Sequence, residues 1–323
     1  MRVLLAQEID AAGVDYLTER GYEVILASGS DEETLKREIV GMDAVIIRIQ
    51  PFTAGILACA DRLKVIGRHG VGVDNVDLEE AARRGIWVTN GPDSNVNSVA
   101  EHAVAMMLAL CRKLPAADRA VRAGDFGFRN REVLADLEGL TLGILGFGNI
   151  GSRVALKCHF GFGMRVLAHN HREKPMPDYV EPVSFEQLLR RSDVLSLHLP
   201  STPATRGCIG RAQLELMKPT ALLLNTARGN IVVEQELAQA LREGVIAGAG
   251  IDVYSQEPPP ADHPFYALDN VVMTPHCSAH SKASYANMAL HAAMGVHEVL
   301  AGLPVTWPVV APPDKSGDVQ QGS

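Results

Sequence analysis

Residues 140–170 read LTLGILGFGNIGSRVALKCHFGFGMRVLAHN, and their reading decides the fold. The pattern G-x-G-x-x-G falls on Gly146, Gly148 and Gly151. Alone it is a weak signal. Here it follows an apolar strand, opens a helix and leads to a second strand, all within about 30 residues. Each glycine then has its own task. Gly146 makes the tight turn, Gly148 lets backbone approach a pyrophosphate, and Gly151 lets the helix pack close to the strand. The helix N-terminus supplies free N–H groups and the positive end of a dipole. A glycine-rich turn without a ligand is the bland alternative; a dinucleotide site accounts for more of the pattern.

The next turn, HNHREKP (169–175), narrows the dinucleotide. About 20 residues beyond the glycines an Asp or Glu usually accepts from the ribose 2′-OH of NAD and repels the 2′-phosphate of NADP. Asn170 stands there instead, so the repulsion is gone. Arg172 can pair with a phosphate in fork geometry, and Lys174 with the two histidines adds donors. NADP(H) is favoured. NAD(H) stays possible, with Asn170 serving NAD and Arg172 a solvated loop residue.

Outward from this unit, strands recur in TLGILG (141–146), RVLAHN (165–170), VLSLHLP (194–200), ALLLNTA (221–227), GAGIDV (248–253) and VVMTP (271–275). An earlier series runs through RVLLA (2–6), EVILA (23–27), AVIIRI (44–49), VIGRH (65–69) and WVTN (87–90), alternating with polar helical stretches. Strands separated by helices imply parallel pairing with right-handed crossovers. Between the series lies NSVAEHAVAMMLALCRKL (97–114), a strongly apolar helix. Asn97 or Ser98 with Glu101 suggests a capping box. So apolar a helix calls for burial on most sides, against the other domain or another subunit. A helix over 281–301 has no place in the second series and can return to the first. The stretch after Trp307, PVVAPPDKSGDVQQGS, has the composition of a disordered tail.

The bulk numbers fit two soluble domains: 323 residues, 47% apolar and 21% charged. No apolar run approaches the roughly 18 residues of a membrane helix. Glu8 and Asp10 interrupt any signal-peptide core, which points to the cytoplasm. A net charge of −8 argues against nucleic acid as a partner. Five scattered cysteines, none in a C-x-x-C pair, read as reduced thiols. His276 and His280 have metal-pair spacing, but HCSAH lacks the glutamate of a zinc-protease helix, so no metal is expected.

Three further motifs sit at strand ends, where open α/β sheets place their chemistry: NTARGNIV (225–232), IDVYSQEPP (251–259) and MTPHCSAH (273–280). With GFGNIG and NSVAEHA, in this order and spacing, the chain from about 40 to 304 resembles the D-isomer-specific 2-hydroxyacid dehydrogenases. That family includes phosphoglycerate dehydrogenases, glyoxylate/hydroxypyruvate reductases and formate dehydrogenases. The resemblance implies an α/β fold of two doubly wound parallel-sheet domains. A Rossmann cofactor domain (99–282) would be inserted into a flavodoxin-like substrate domain (1–98 plus 283–310), with a tail at 311–323. It also implies a homodimer.

By the same resemblance Arg228 is the substrate arginine, suited to clamp a carboxylate and polarise the adjacent keto oxygen. His276 would be the general acid in reduction and the base in oxidation, with Glu257 holding the imidazole and stabilising its charged form. Formate dehydrogenases carry glutamine at that glutamate, so Glu257 speaks for an alcohol/ketone couple. Besides the three glycines, the implied cofactor contacts are Val71, Asn149, Ile150, Asn170, His171, Arg172, His198, Pro200, Thr226, Ala227, Asp252, His276 and Ser278. Asp252 would meet the nicotinamide carboxamide.

The loop RHGVGVDNVD (68–77) resembles the substrate loop, where the amides of Gly70, Val71 and Gly72 can face a carboxylate. Arg48 and Arg68 match arginines of phosphoglycerate dehydrogenases and would bind a second anionic group or serve as rim charges. The HNHREKP turn is closer to NADPH-using hydroxypyruvate reductases. Two enzyme readings therefore stand: a reductase of small 2-ketoacids such as glyoxylate or hydroxypyruvate, and an NAD-dependent 3-phosphoglycerate dehydrogenase. A non-catalytic dinucleotide-sensing protein of the same fold is the third.

Overall fold

The computed structural model describes residues 1–172 and 174–312. Two compact units emerge, one formed by residues 1–95 with 281 onward, the other by 96–280.

In the first unit β1 (Arg2–Leu5), β2 (Glu23–Leu26), β3 (Ala44–Ile47), β4 (Val65–Arg68) and β5 (Trp87–Thr89) alternate with helices. Short polar residues start those helices: Asp10, Asp31, Thr53 and Asp77 each accept from a first-turn amide. In the second unit β6 (Thr141–Leu145), β7 (Arg165–His169), β8 (Val180–Pro182), β9 (Val194–Leu197), β10 (Leu222–Asn225), β11 (Gly248–Ile251) and β12 (Val271–Met273) form a single sheet. The chain then returns to the first unit through helix Lys282–Leu300, capped by Ser281, and closes with β13 (Pro308–Val310).

The first sheet runs β13-β5-β4-β3-β1-β2, parallel except that β13 pairs antiparallel with β5. Without β13 this is the flavodoxin order. Its two faces bury Leu4, Val45 and Ile66 on one side and Val3, Ala44 and Val65 on the other. Helix Lys282–Leu300 covers the second face so closely that a Cβ on Gly67 would lie 2.9 Å from Ala292 O. The second sheet runs β12-β11-β10-β9-β6-β7-β8 and is parallel throughout. Its order reverses between β6 and β9, which puts the switch point, the usual ligand crevice, beside the glycine loop.

Three expectations change. The segment after Trp307 is not tail from its start, because Val310 pairs with Val88 and Pro308 with Thr89. An edge position tolerates a proline, which has no N–H to give. The remainder of that tail, from 313 on, lies outside the described residues, as does Glu173. The apolar helix runs Val96–Cys111, so Asn97 and Ser98 are inside its first turn and cannot be its cap; Asn97 bonds the Glu101 side chain instead. That helix buries Val99, Ala103, Met106 and Met107 within its own unit, in the core shared with helix Asn149–Phe162. Burial there needs no second subunit.

Candidate active site

The glycine loop leaves β6, whose residues are all buried. Gly146 has φ +97°, and a Cβ there would lie 2.6 Å from His198 O. A Cβ on Gly151 would lie 2.3 Å from Gly146 O and 3.0 Å from Ile144 Cγ2, so helix and strand touch backbone to backbone. Gly148 differs: nothing lies within 4 Å of its would-be Cβ. It caps the 14-residue helix Asn149–Phe162 without any side-chain cap. The positive end of a fourteen-residue helix thus faces open space beside Gly148, where first-turn amides and the dipole favour an anion. This is the cradle a pyrophosphate needs.

Around that cradle, Asn170 Oδ1 accepts from Phe147 N at 2.6 Å, and Lys174 Nζ donates to Phe147 O at 3.4 Å. The side chain in the acidic position therefore braces the loop with its oxygen and has only Nδ2 left for a ligand. His171 and Arg172 are exposed. His198 follows β9; desolvation pushes its imidazole down to about 4, so it stays neutral at pH 7, with Ser196 Oγ at 2.9 Å from Nε2. Pro200 is exposed. Thr226 at the end of β10 has a buried Oγ1 with no partner among the described residues. An orphaned buried hydroxyl and a cradle that leaves room beside Gly148 fit a dinucleotide.

The remaining chemistry lies on the loops after β10, β11 and β12, neighbours in the sheet. Asn225 shapes the first: its Nδ2 donates to Arg228 O at 2.9 Å and its Oδ1 accepts from Ala227 N at 3.1 Å. Arg228 is extended, with Nη1 donating to Ala227 O at 2.7 Å. At Gly229 a Cβ would lie 1.9 Å from Tyr254 C, so only glycine lets this loop pass the next one. On that second loop Glu257 accepts from Tyr254 N at 3.0 Å through Oε1. Its other oxygen, Oε2, lies 2.7 Å from His276 Nδ1. Burial works to raise the Glu257 carboxyl, but the His276 and Tyr254 hydrogen bonds outweigh it and hold it below the usual carboxylate range. An ionised carboxylate can only accept, so Nδ1 is the donor and Nε2 is the nitrogen left to exchange a proton. His276 is 48% exposed and Glu257 37%, so the pair is open to a ligand.

His276 itself is left-handed, with φ +50°. Its N–H donates to Asp252 O at 2.7 Å. The Asp252 carboxylate, wholly buried, holds the flanking residues: Oδ1 accepts from Cys277 N at 2.9 Å and Thr274 Oγ1 at 2.6 Å, Oδ2 from Ser278 N at 3.0 Å. Burial would raise this carboxyl too, and the Thr274, Ser278 and Cys277 hydrogen bonds keep it below its ordinary value. Through these bonds Asp252 braces the His276 loop. His276 and His280 belong to a loop, not a helix, so their spacing does not put them on one face. Among the described residues His102, Asp252 and Cys277 bring possible metal-ligand atoms within 4.8 Å of one another, but those Asp252 oxygens are already hydrogen-bonded. Asn225, Tyr254 and Thr274 are the supporting residues that sequence reasoning missed; buried polar residues inside apolar runs were the only signal.

The substrate-loop residues gather in the first unit, at the carboxyl ends of β3 and β4. Arg48 donates to Glu8 O at 3.0 Å and lies over the Tyr285 ring, 5.5 Å from its centre. Arg68 donates to Asn75 Oδ1 at 3.2 Å and to His69 O. Asn75 in turn bonds Arg48 O and Gln50 O at 3.1 and 2.7 Å, tying the two arginine segments together. Gly70 has φ +125°, and Val71 O accepts from Asn90 Nδ2 at 2.7 Å, while Val71 and Gly72 stay half-exposed. Buried His69 is pushed down to about 3 by burial and by Arg48 and Arg68, so it adds no charge.

Known proteins agree with this geometry. The family model for the NAD-binding domain of D-isomer specific 2-hydroxyacid dehydrogenases matches residues 104–278. A D-3-phosphoglycerate dehydrogenase of Archaeoglobus fulgidus is 40% identical over 324 residues, covering 99% of this chain; the chain spans only 61% of that relative's length. A glyoxylate reductase of Korarchaeum cryptofilum is 38% identical over 298 residues, covering 89% of both chains. The crystal structure of the NADPH-dependent glyoxylate/hydroxypyruvate reductase of Sinorhizobium meliloti with citrate superposes with a TM-score of 0.86 at 26% identity, covering 97% of this chain and 98% of that one. The family-model match over residues 104–278 and the relative covered over 89% of both chains make this protein a member of the D-isomer-specific 2-hydroxyacid dehydrogenase family.

Proposed function

We propose that this chain is an NAD(P)H-dependent 2-ketoacid reductase, run in reverse a D-2-hydroxyacid dehydrogenase, for small substrates of the glyoxylate or hydroxypyruvate kind. The observation that carries it is the 2.7 Å contact between His276 Nδ1 and Glu257 Oε2, which leaves Nε2 for proton transfer. A bound nicotinamide supplies the hydride. The chain does the rest. Arg228 holds the substrate carboxylate by paired, charge-assisted hydrogen bonds and draws electron density from the neighbouring carbonyl. His276 gives the Nε2 proton to the oxygen that becomes the hydroxyl. Glu257 keeps the ring turned by its bond to Nδ1. The proposal also gives Arg48, Arg68 and the 70–72 amides of the first unit a role in binding anionic groups.

Preference for NADP(H), with NAD(H) accepted, is supported by Asn170: the position that usually carries the repelling carboxylate has an amide, whose Nδ2 is a donor. The exposed His171 and Arg172 beside it offer the positive partners. A second reading, an NAD-dependent 3-phosphoglycerate dehydrogenase, is favoured by the clustering of Arg48 and Arg68 through Asn75, which suits a phosphate. The relative of highest identity described above bears that name.

A homodimer is part of the proposal. Helix Leu114–Arg122 has no buried residue, and Phe126 and Val133 beyond it are 68% and 89% exposed. Val104, Leu156 and Phe160 line a groove beside the Glu101–Lys157 ion pair. Projecting and receiving apolar surfaces on one chain suit a self-complementary interface. No helix among the described residues is long and apolar enough to cross a membrane. Five unbridged thiols favour a reducing, cytoplasmic setting.

The test is turnover of glyoxylate, hydroxypyruvate, phenylpyruvate and 3-phosphohydroxypyruvate, each with NADH and NADPH. Preferential reduction of the first two with NADPH supports the proposal, and a preference for the phosphorylated acid with NADH supports the second reading. Dinucleotide binding without any turnover would leave a sensing protein.

A further inference from the structure

Among the described residues of the second unit, one histidine reaches the catalytic loop from a helix that bears no catalytic group. His102 lies on helix Val96–Cys111, between Val99 and Met106 on its buried side. Its Nε2 is 3.0 Å from Thr274 Oγ1, and that hydroxyl bonds Asp252 Oδ1 at 2.6 Å. From Asp252 the contacts pass to Cys277 N, Ser278 N and His276 N.

The protons in this chain of bonds are determined. Thr274 has one hydroxyl proton, and an ionised carboxylate can only accept it. The hydroxyl must then be the acceptor towards His102, so His102 carries its proton on Nε2. The imidazole orients the hydroxyl, and the hydroxyl keeps the carboxylate turned so that its oxygens meet the amides of Cys277 and Ser278. Between those amides and the Asp252 carbonyl sits His276, in a left-handed conformation that a non-glycine residue keeps only when its surroundings over-determine it. The contacts of His102 thus run through the Thr274 hydroxyl and the Asp252 carboxylate to the amides of the two residues that follow His276.

We propose that His102 is a positioning residue for the proton-transfer step, acting through Thr274 and Asp252 to hold His276 against Glu257. The inference rests on the reductase reading for its kinetic consequence, but not for its structural one. His102→Leu removes the donor, whereas His102→Gln can replace it, since the glutamine amide mimics Nε2.

The experiment pairs kinetics with hydrogen–deuterium exchange of the peptide spanning 273–280. For His102→Leu we expect kcat to fall about three- to tenfold, the loss of one ordinary hydrogen bond's worth of alignment. Dinucleotide Kd and ketoacid KM should stay within about twofold, and exchange in 273–280 should accelerate. His102→Gln should return kcat and exchange to near the parent values. Thr274→Val guards against a variant that does not fold: in that background, replacing His102 by Leu should change little further. Unchanged exchange in His102→Leu, equal damage from Leu and Gln, or full additivity with Thr274→Val would each overturn the proposal. If the parent protein turns over no ketoacid, the reductase reading fails while the exchange measurements still decide the role of His102.

Discussion

Gly148→Ala separates the ligand cradle from the fold, because the structure gives that position nothing to collide with. No heavy atom lies within 4 Å of a Cβ placed there, and its φ of −89° and ψ of −158° suit alanine. At a helix N-cap alanine is worse than glycine by roughly 0.5–1 kcal/mol, offset in part by lower unfolded-state entropy, so stability should change by about 1 kcal/mol or less. The methyl would nevertheless occupy the space a pyrophosphate needs. Losing even one charge-assisted bond to the helix amides is worth about 1.5–3 kcal/mol, so dinucleotide affinity should fall roughly 10- to 100-fold. Gly151→Ala is the contrasting control. Its Cβ would sit 2.3 Å from Gly146 O, roughly 1 Å inside ordinary contact with rigid backbone. Helix and strand must part, at a cost of about 1–3 kcal/mol and a Tm lower by roughly 3–10 °C. Titrating NADPH and NADH fluorescence against both variants, with melting curves alongside, checks the pair. Parent-like affinity in a well-folded Gly148→Ala protein would refute the assignment of the cradle.

Arg172→Ala should weaken NADPH by about tenfold or more while moving NADH by less than twofold, since only the phosphorylated ribose presents it with a charge; parallel titrations check this. Glu257→Gln keeps the hydrogen-bonding shape but removes the charge that supports the imidazolium, so kcat should drop by about 10-fold or more with dinucleotide Kd unchanged. Asp252→Asn would turn an NH2 group towards an amide N–H and cost about 2 kcal/mol at pH 7, read by urea unfolding. The Asp252 carboxyl is held below its ordinary value, so its contribution is present above the unfolded value of about 4 and lost as pH falls through the lower folded one. The gap between parent and variant should therefore narrow in acid, and a gap constant from pH 7 to pH 3 would count against the ionised Asp252.

Local signals made most of this molecule readable. The strands of both sheets carry apolar runs, the first unit's helices begin at Asp or Thr caps, and the three glycines have the separate steric tasks their spacing suggested. Arg228, Glu257 and His276 were found through motif context, and the sheet order puts their loops side by side. What escaped depends on distant neighbours. The edge strands β8 and β13 are three residues long and each includes a proline, so only their partners define them. The bracing role of Asp252 could not be read from its position at a strand end, because the amides that bond it come from residues 25 and 26 positions later. The helix over 96–111 gave its apolar character but not its partner, because periodicity marks a buried face without naming what covers it.

The most direct measurement is the rate of NADPH-dependent reduction of glyoxylate and hydroxypyruvate by the parent protein and by His276→Ala, with dinucleotide affinity measured on the same samples. If Nε2 of His276 delivers the proton while Glu257 holds Nδ1, kcat should fall by about 10² or more with NADPH Kd within twofold. Undiminished turnover in His276→Ala would contradict that chemistry.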